Sequence, residues 1–366
     1  MSIFWRYLLT QYLKVFLLAV FSFIAILLVS RLEEIVHFAT MGAPISTIAY
    51  FVLYQIPYIL PIAIPISCLI SAMILYQNLS HTQELTAFRS GGIPLRFIVA
   101  PILVASSFLS LGNFYISSEL STASHLATKR MIYNLTSINP LILLQNAKIA
   151  KLKGAYVQMD PIRNGEAAKD LVITAHYRGR DRLSLLLAKK LEMKEGKLAA
   201  DHVSLITTAP SSSPHGFDHL MIENQEKTTS PAPEFAHLLR KQGWKIANDN
   251  LRFSLLRVRL AQLKQGTSSR MLQKCYSEIS RRFSLGIAPL TFTLLGVAFG
   301  MEISRNHSKR GVVWVLTLAA FSLIAFFVGK ELDHLFWIAS CCFLLPHITI
   351  IGCSLKTLHR INRGIE

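Results

Sequence analysis

Six apolar stretches, three toward each end of a 366-residue chain and parted by a long polar middle, constrain the fold more than any other feature of the sequence. Residues 12–30 carry a single charge, Lys14, near their start. At about 1.5 Å of rise per residue they reach across a hydrocarbon core of roughly 30 Å. Residues 51–76 and 93–116 follow, and after the middle come 283–301, 311–329 and 335–355. Lipid offers backbone groups no partner, so each stretch must be helical. The first has no small-residue cleavage site after it and runs on into Arg31-Leu32-Glu33-Glu34, so it reads as a retained span rather than a signal peptide. The second contains Pro57, Pro61 and Pro65 at four-residue spacing. Prolines so spaced fall near one face and leave carbonyls without helical partners, so that face is expected to pack on protein or to bend.

A hydrophobic content of 52% and a mean hydropathy of +0.40 exclude a simple soluble enzyme. The net charge of +17 is concentrated in the middle, where residues 118–282 hold 26 Lys and Arg against 14 Asp and Glu. This is either a solvated basic surface or a surface for an anionic partner. Residues 117–139 look helical. Beyond Lys148 short apolar runs (AYVQM, LVITAHY, RLSLLLAKKLEM, VSLITTA) alternate with turn signals (DPIRNG, RGRD, KEGK, SSSPHG, TTSPAP). The period-two alternation of LRFSLLRVRL, residues 251–260, predicts a closing strand. The expected fold is therefore an α-helical membrane protein with six transmembrane helices and an inserted β-jelly-roll-like domain. Its parts are residues 1–117 with spans one to three, 118–282 with the β domain and flanking helical connectors, and 283–366 with spans four to six and a tail.

The charges at span ends allow a topology test. Arg6, Lys14, Arg89, Arg96, Arg305, Lys309, Arg310, Lys356, Arg360 and Arg363 fall on one side of a six-span arrangement. The short loops of the other side mix Arg31 with Glu33 and Glu34, and Lys330 with Glu331 and Asp333. Both termini are expected in the cytoplasm and the strand-rich middle outside. Between spans two and three, residues 77–92 form a short polar helix that Gly91, Gly92 and Pro94 stop sharply. Such a helix serves either as an interfacial connector or as a docking element for another protein.

No phosphate-cradling loop, zinc-protease helix or nucleophile elbow occurs, and of five cysteines only Cys275 lies outside the apolar blocks. Nothing argues for an enzyme, a cofactor, a metal or a nucleic-acid partner. Arg31 and the Glu278, Arg281, Arg282 group stand at span ends, either as snorkelling anchors or as contacts for the phosphates of an anionic lipid.

Taken together, Arg6-Tyr7 and Lys14, the SHTQELTAFRSGGIP segment, the three-plus-three spans, Glu278-Ile279-Ser280-Arg281-Arg282 and Ser308-Lys309-Arg310-Gly311 resemble the LptF/LptG family. These are permease subunits of the lipopolysaccharide export transporter of Gram-negative inner membranes. The resemblance implies a heterodimer with a homologous permease (LptF or LptG), a cytoplasmic ATPase dimer (LptB), and periplasmic bridge proteins (LptC and LptA) that receive lipopolysaccharide from the outer β-jelly-roll. It implies that the helix at residues 77–92 is a coupling helix, with Glu84 facing an arginine of the ATPase and Leu85, Phe88 and Arg89 beside it. It further implies that Arg31 meets lipopolysaccharide head groups, and that Glu278 and Arg282, one turn apart, pair on one face of span four.

There are departures. A proline expected eight residues after the glutamate is Gly286, although Pro289 keeps the later one. The usual Pro-Leu before the cytoplasmic loop is Ala298-Phe299, and Glu33 and Glu34 stand beside Arg31. Two other functions share this architecture: a mechanotransmission permease that moves its outer domain without carrying lipid, and a non-transporting envelope scaffold.

Overall fold

The computed structural model describes residues 3–40, 43–138, 149–152, 155–161, 167–177, 182–194, 197–209, 219–231, 247–264, 269–301 and 310–363. The RGRD and SSSPHG turns and the basic residues Arg305 and Lys309 lie outside them. The chain divides into two compact units, Met1–Ile35 with Ala49–Thr128 and Ile246–Glu366, and Val36–Ile48 with Lys129–Lys245.

Helix α1 spans Ile3–Ser30, α2 Leu32–Thr40, α3 Ile45–His81, α4 Glu84–Ser90 and α5 Leu95–Tyr115. A π-helical turn, Ile116–Leu120, carries α5 without a break into α6, Ser121–Ile138. After the strands, a 3-10 turn at Asn248–Asn250 leads to α7, Phe253–Lys264, and then to α8, Ser269–Gly300, α9, Arg310–Glu331, and α10, Phe336–Asn362. Among the described residues six helical segments are long and apolar enough to cross a membrane, in agreement with the six stretches of the sequence.

The three prolines of α3 do not break it; all lie inside one 37-residue helix. A proline has no N–H for the carbonyl four residues before it. Pro65 thus strands the carbonyl of Pro61, and Pro289, inside α8, strands that of Leu285. Asn113 of α5 meets both: its amide nitrogen donates to Pro61 O at 3.3 Å and to Leu285 O at 2.7 Å. One side-chain amide, with its two hydrogens, satisfies two helices that proline has left incomplete. Close by, Ser110 Oγ accepts the Leu290 N–H at 3.0 Å.

Packing of α8 against α3 is closer still at Gly296 and Gly300. A Cβ on Gly296 would stand 2.6 Å from the Leu69 carbonyl oxygen, and one on Gly300 2.9 Å from that of Met73. This is a small-xxx-small contact, in which absent side chains let two backbones touch. At Gly286, where a relative's proline was expected, Phe114 of α5 packs so near that a Cβ would lie 3.0 Å from it. On its other side α8 meets α10 through His347, whose ring nitrogens lie 2.9 Å from Ser284 Oγ and 2.9 Å from Thr291 Oγ1, while Ser284 Oγ donates to Phe343 O.

In the second unit six strands, β1 Ile149–Leu152, β2 Ala155–Pro161, β3 Ala167–Tyr177, β4 Arg182–Lys194, β5 Lys197–Ala209 and β6 His219–Pro231, form one antiparallel sheet in sequential order. A jelly roll shares its strands between two sheets by crossing connections. Among the described residues the sheet is instead a plain meander. Thr228, Thr229, Ser230 and Pro231, expected in a loop, close β6; as the last residue of an edge strand Pro231 forfeits no internal bond.

The apolar side of the sheet steps by three residues rather than two at one level: Ala168 to Leu171 in β3, Ala188 to Leu191 in β4 and Ala200 to Val203 in β5, all buried. Asp170 and His202, within two of these steps, have φ of 50° and 52°, and neither is paired in the ladder register. The register runs on unchanged across both unpaired positions, so no strand gains a residue on its neighbour and one face stays apolar.

The strand expected at residues 251–260 is corrected. Phe253–Lys264 is helical, because Leu, Arg, Ala, Gln and Lys dominate it and Val258 is its only β-branched residue. Alternation there is fortuitous, since Leu256 is buried while Leu255 and Val258 are exposed.

Replacing Asn113 by Leu keeps the volume but leaves two buried carbonyls unpaired, at about 1–3 kcal/mol each. The thermal unfolding midpoint of the detergent-solubilised protein is expected to fall by several degrees; an unchanged midpoint would remove Asn113 from this role. Gly296→Val should have a comparable or larger effect through its backbone clash, whereas the same change at Gly352, where an added Cβ meets nothing within 4 Å, should be near neutral.

Candidate functional site

Helix α4 is short, so its neighbours hold it. Leu85 is buried in a cluster with Leu8, Tyr12, Tyr76 and Leu79. The Phe88 ring meets that of Phe4 edge to face at 4.8 Å. Arg89 Nη2 donates to the Ile361 carbonyl at 3.3 Å, and Tyr7 Oη donates to Glu84 Oε2 at 3.2 Å. The helix ends as the glycine pair predicts. Gly92, at φ 80°, gives its N–H to Arg89 O and Ile93 gives its N–H to Phe88 O, a Schellman closure that needs a left-handed residue. All four residues assigned to coupling therefore turn toward the chain's own α1, α3 and α10. The exposed side of the segment carries Gln83, Thr86, Ala87 and Ser90. The small size of Thr86, Ala87 and Ser90 was legible in the sequence, but which side faced outward was not.

Arg31, between α1 and α2, is already partnered. Its guanidinium pairs with Glu34 one turn on and lies over the Tyr58 ring, 5.0 Å from the centroid. Glu34 also accepts from Gln55 at 3.4 Å. Of the two acids flagged beside Arg31, Glu34 is the one that pairs with it, and a third of the Arg31 side chain remains exposed.

Glu278 and Arg282 pair on one face of α8, with Arg282 Nε donating to Glu278 Oε1 at 2.8 Å, and Arg281 binds the same carboxylate through Nε and Nη2 at 2.8 and 2.7 Å. Arg282 goes further. Its Nη1 donates to Ser118 O at 3.3 Å and its Nη2 to Asn248 O at 3.3 Å and Leu251 O at 2.7 Å. Four of its five N–H groups are thus spent inside the chain, and the side chain is 0% exposed. Ser118 belongs to the π-helical turn, whose longer bonding step leaves carbonyls open, and Thr122 Oγ1 donates to the same oxygen at 3.1 Å. The guanidinium ties α8, the π turn and the 3-10 turn together, which leaves Arg31 and Arg281 as the more accessible cations.

A profile of the lipopolysaccharide export system permease LptF/LptG matches residues 6–360, nearly the whole chain. The chain belongs to the LptF/LptG family. No curated protein sequence matches it significantly. Members of the LptF/LptG family are permease components, and the six apolar helices make this one a multi-pass membrane protein. Within that frame, sequence reasoning missed Asn113, Tyr58, His347 and the Gly296/Gly300 contact. The glycines had a signal, G-x-x-x-G in an apolar helix; the others become recognisable only when the helices meet.

Lysine in place of Arg282 keeps the charge but cannot fork to four acceptors on three elements. Arg282→Lys should leave buried carbonyls among these acceptors unpaired, at about 1–3 kcal/mol each, and reduce the amount of folded protein recovered from membranes. Arg281→Lys, at a partly exposed position, should be recovered normally.

Proposed function

We propose that this chain is one half of the permease of an ATP-driven lipopolysaccharide exporter in the inner membrane, paired with a homologous permease and driven by a cytoplasmic ATPase dimer. The observation that carries this reading is the family match over residues 6–360, joined to a helix between spans two and three that is braced on one side and bare on the other. Force on the bare side of α4 passes directly to α1 through Tyr7, Leu8 and Phe4, and to α10 through Ile361. Closure of the ATPase pair would therefore move spans rather than bend a loop.

The least buried spans are α1 and α9, at 17% and 11% of their apolar windows. Their free walls suit acyl chains and the partner permease alike, with Arg31 near lipid phosphates at the outer end. Narrowing of a cavity between α1 of one permease and α9 of its partner would drive the amphiphile toward the outer β domain, from which bridge proteins would take the lipid on. Closure of the described meander into a jelly roll, both termini in the cytoplasm and the middle in the periplasm belong to the same proposal.

Two substitutions on α4 separate docking from bracing. Ala87→Arg, on the bare side, is expected to leave the chain in the membrane in normal amount while abolishing recovery of a P-loop ATPase in a mild-detergent pull-down. Leu85→Arg, buried in the α1/α3 cluster, should reduce the chain itself. Undiminished ATPase recovery with Ala87→Arg would refute docking through this side.

A further inference from the structure

A groove of about 590 Å³ runs between the first two turns of α5 and the last two of α10. Its floor is apolar, formed by Leu95, Val99 and Leu103 at helical spacing on α5 and by Leu355 and Leu358 on α10. Its mouth, at the helix ends, is polar and cationic, with Arg96, His359 and Asn362, and among the described residues no carboxylate lines it. Beside the mouth Phe97 is 50% exposed, and Leu355 is 54% exposed on the opposite wall, as side chains that look into a bilayer are. Lys356 and Arg363, both exposed, add positive charge to the same end of α10.

We propose that this groove is a binding site for an anionic glycerophospholipid of the leaflet on the α4 side of the membrane, with the phosphate at Arg96 and one acyl chain along Val99, Leu103 and Leu355. Three observations select this occupant. The apolar floor follows two spanning helices inward, so it lies at hydrocarbon depth, where an acyl chain is the available apolar body. The cations sit where those helices end, at head-group depth, where an anionic phosphate is their complement. Arg96 is exposed and its guanidinium lies over the Phe97 ring at 5.5 Å, held at the mouth and open to a ligand.

The position gives the lipid something to act on. The α5 wall begins directly after the Gly92 and Pro94 stop of α4, and the α10 wall contains the last turn, whose Ile361 carbonyl receives Arg89. A lipid seated between them braces both attachments of α4. The site is independent of which substrate the permease exports.

The test uses the full chain reconstituted in vesicles of equal phosphatidylglycerol and phosphatidylcholine and released for native mass spectrometry. Wild type should retain one phosphatidylglycerol in preference to phosphatidylcholine. Arg96→Gln should weaken that retention roughly fivefold, as the loss of about 1 kcal/mol per surface cation implies. Ala100→Trp, which fills the floor from α5, should displace both lipids while Arg96 stays in place. A photo-crosslinking residue at Leu358 should capture phosphatidylglycerol. Equal retention of the two lipids by wild type, retention unchanged in both variants, or capture of a protein segment in place of lipid would each overturn the proposal.

Discussion

Lipid offers backbone polar groups no partner, so each must be satisfied within the protein, and Asn113 is where this molecule meets that constraint for two helices at once. Proline-bearing spans are usable only if something restores the missing bonds, and here one buried amide restores two at once. α3, α5 and α8 are thereby fixed in register before any apolar contact is considered. The Gly296 and Gly300 contact and the His347 bridge then extend a core in which α8 is the common member. With α8 enclosed in this way, α1 and α9 are left to face lipid or a second chain.

What was legible in the sequence follows from how local each cause is. Six spans could be read because apolar length is a property of the chain alone. The stop of α4 could be read because Gly91, Gly92 and Pro94 act over a few residues. The pairing of Glu278 with Arg282 also follows from one helical turn. Three other features depend on which neighbours a segment meets: the outward side of α4, the four acceptors of Arg282, and the helix at Phe253–Lys264 where alternation suggested a strand. Strands β2 to β5 were legible from their composition, but their step of three at Asp170 and His202 was not, because either residue in isolation is an ordinary polar strand position.

The braced helix α4 illustrates how position constrains function. Its apolar and charged residues are the ones a motif comparison selects, yet Leu85, Phe88 and Arg89 hold it to the chain. What they leave exposed is a low surface of Thr86, Ala87 and Ser90.

The π-helical turn at Ile116–Leu120 carries a phase consequence. A π turn holds one residue more than the α-helix it interrupts, so the residues from Ser121 to Thr128 are rotated by about 100° about the helix axis relative to an unbroken helix. Arg282 and Thr122 bind the open carbonyl of Ser118 and so stabilise that rotation. The direction in which side chains at the start of α6 point is in this way written into a single surplus residue.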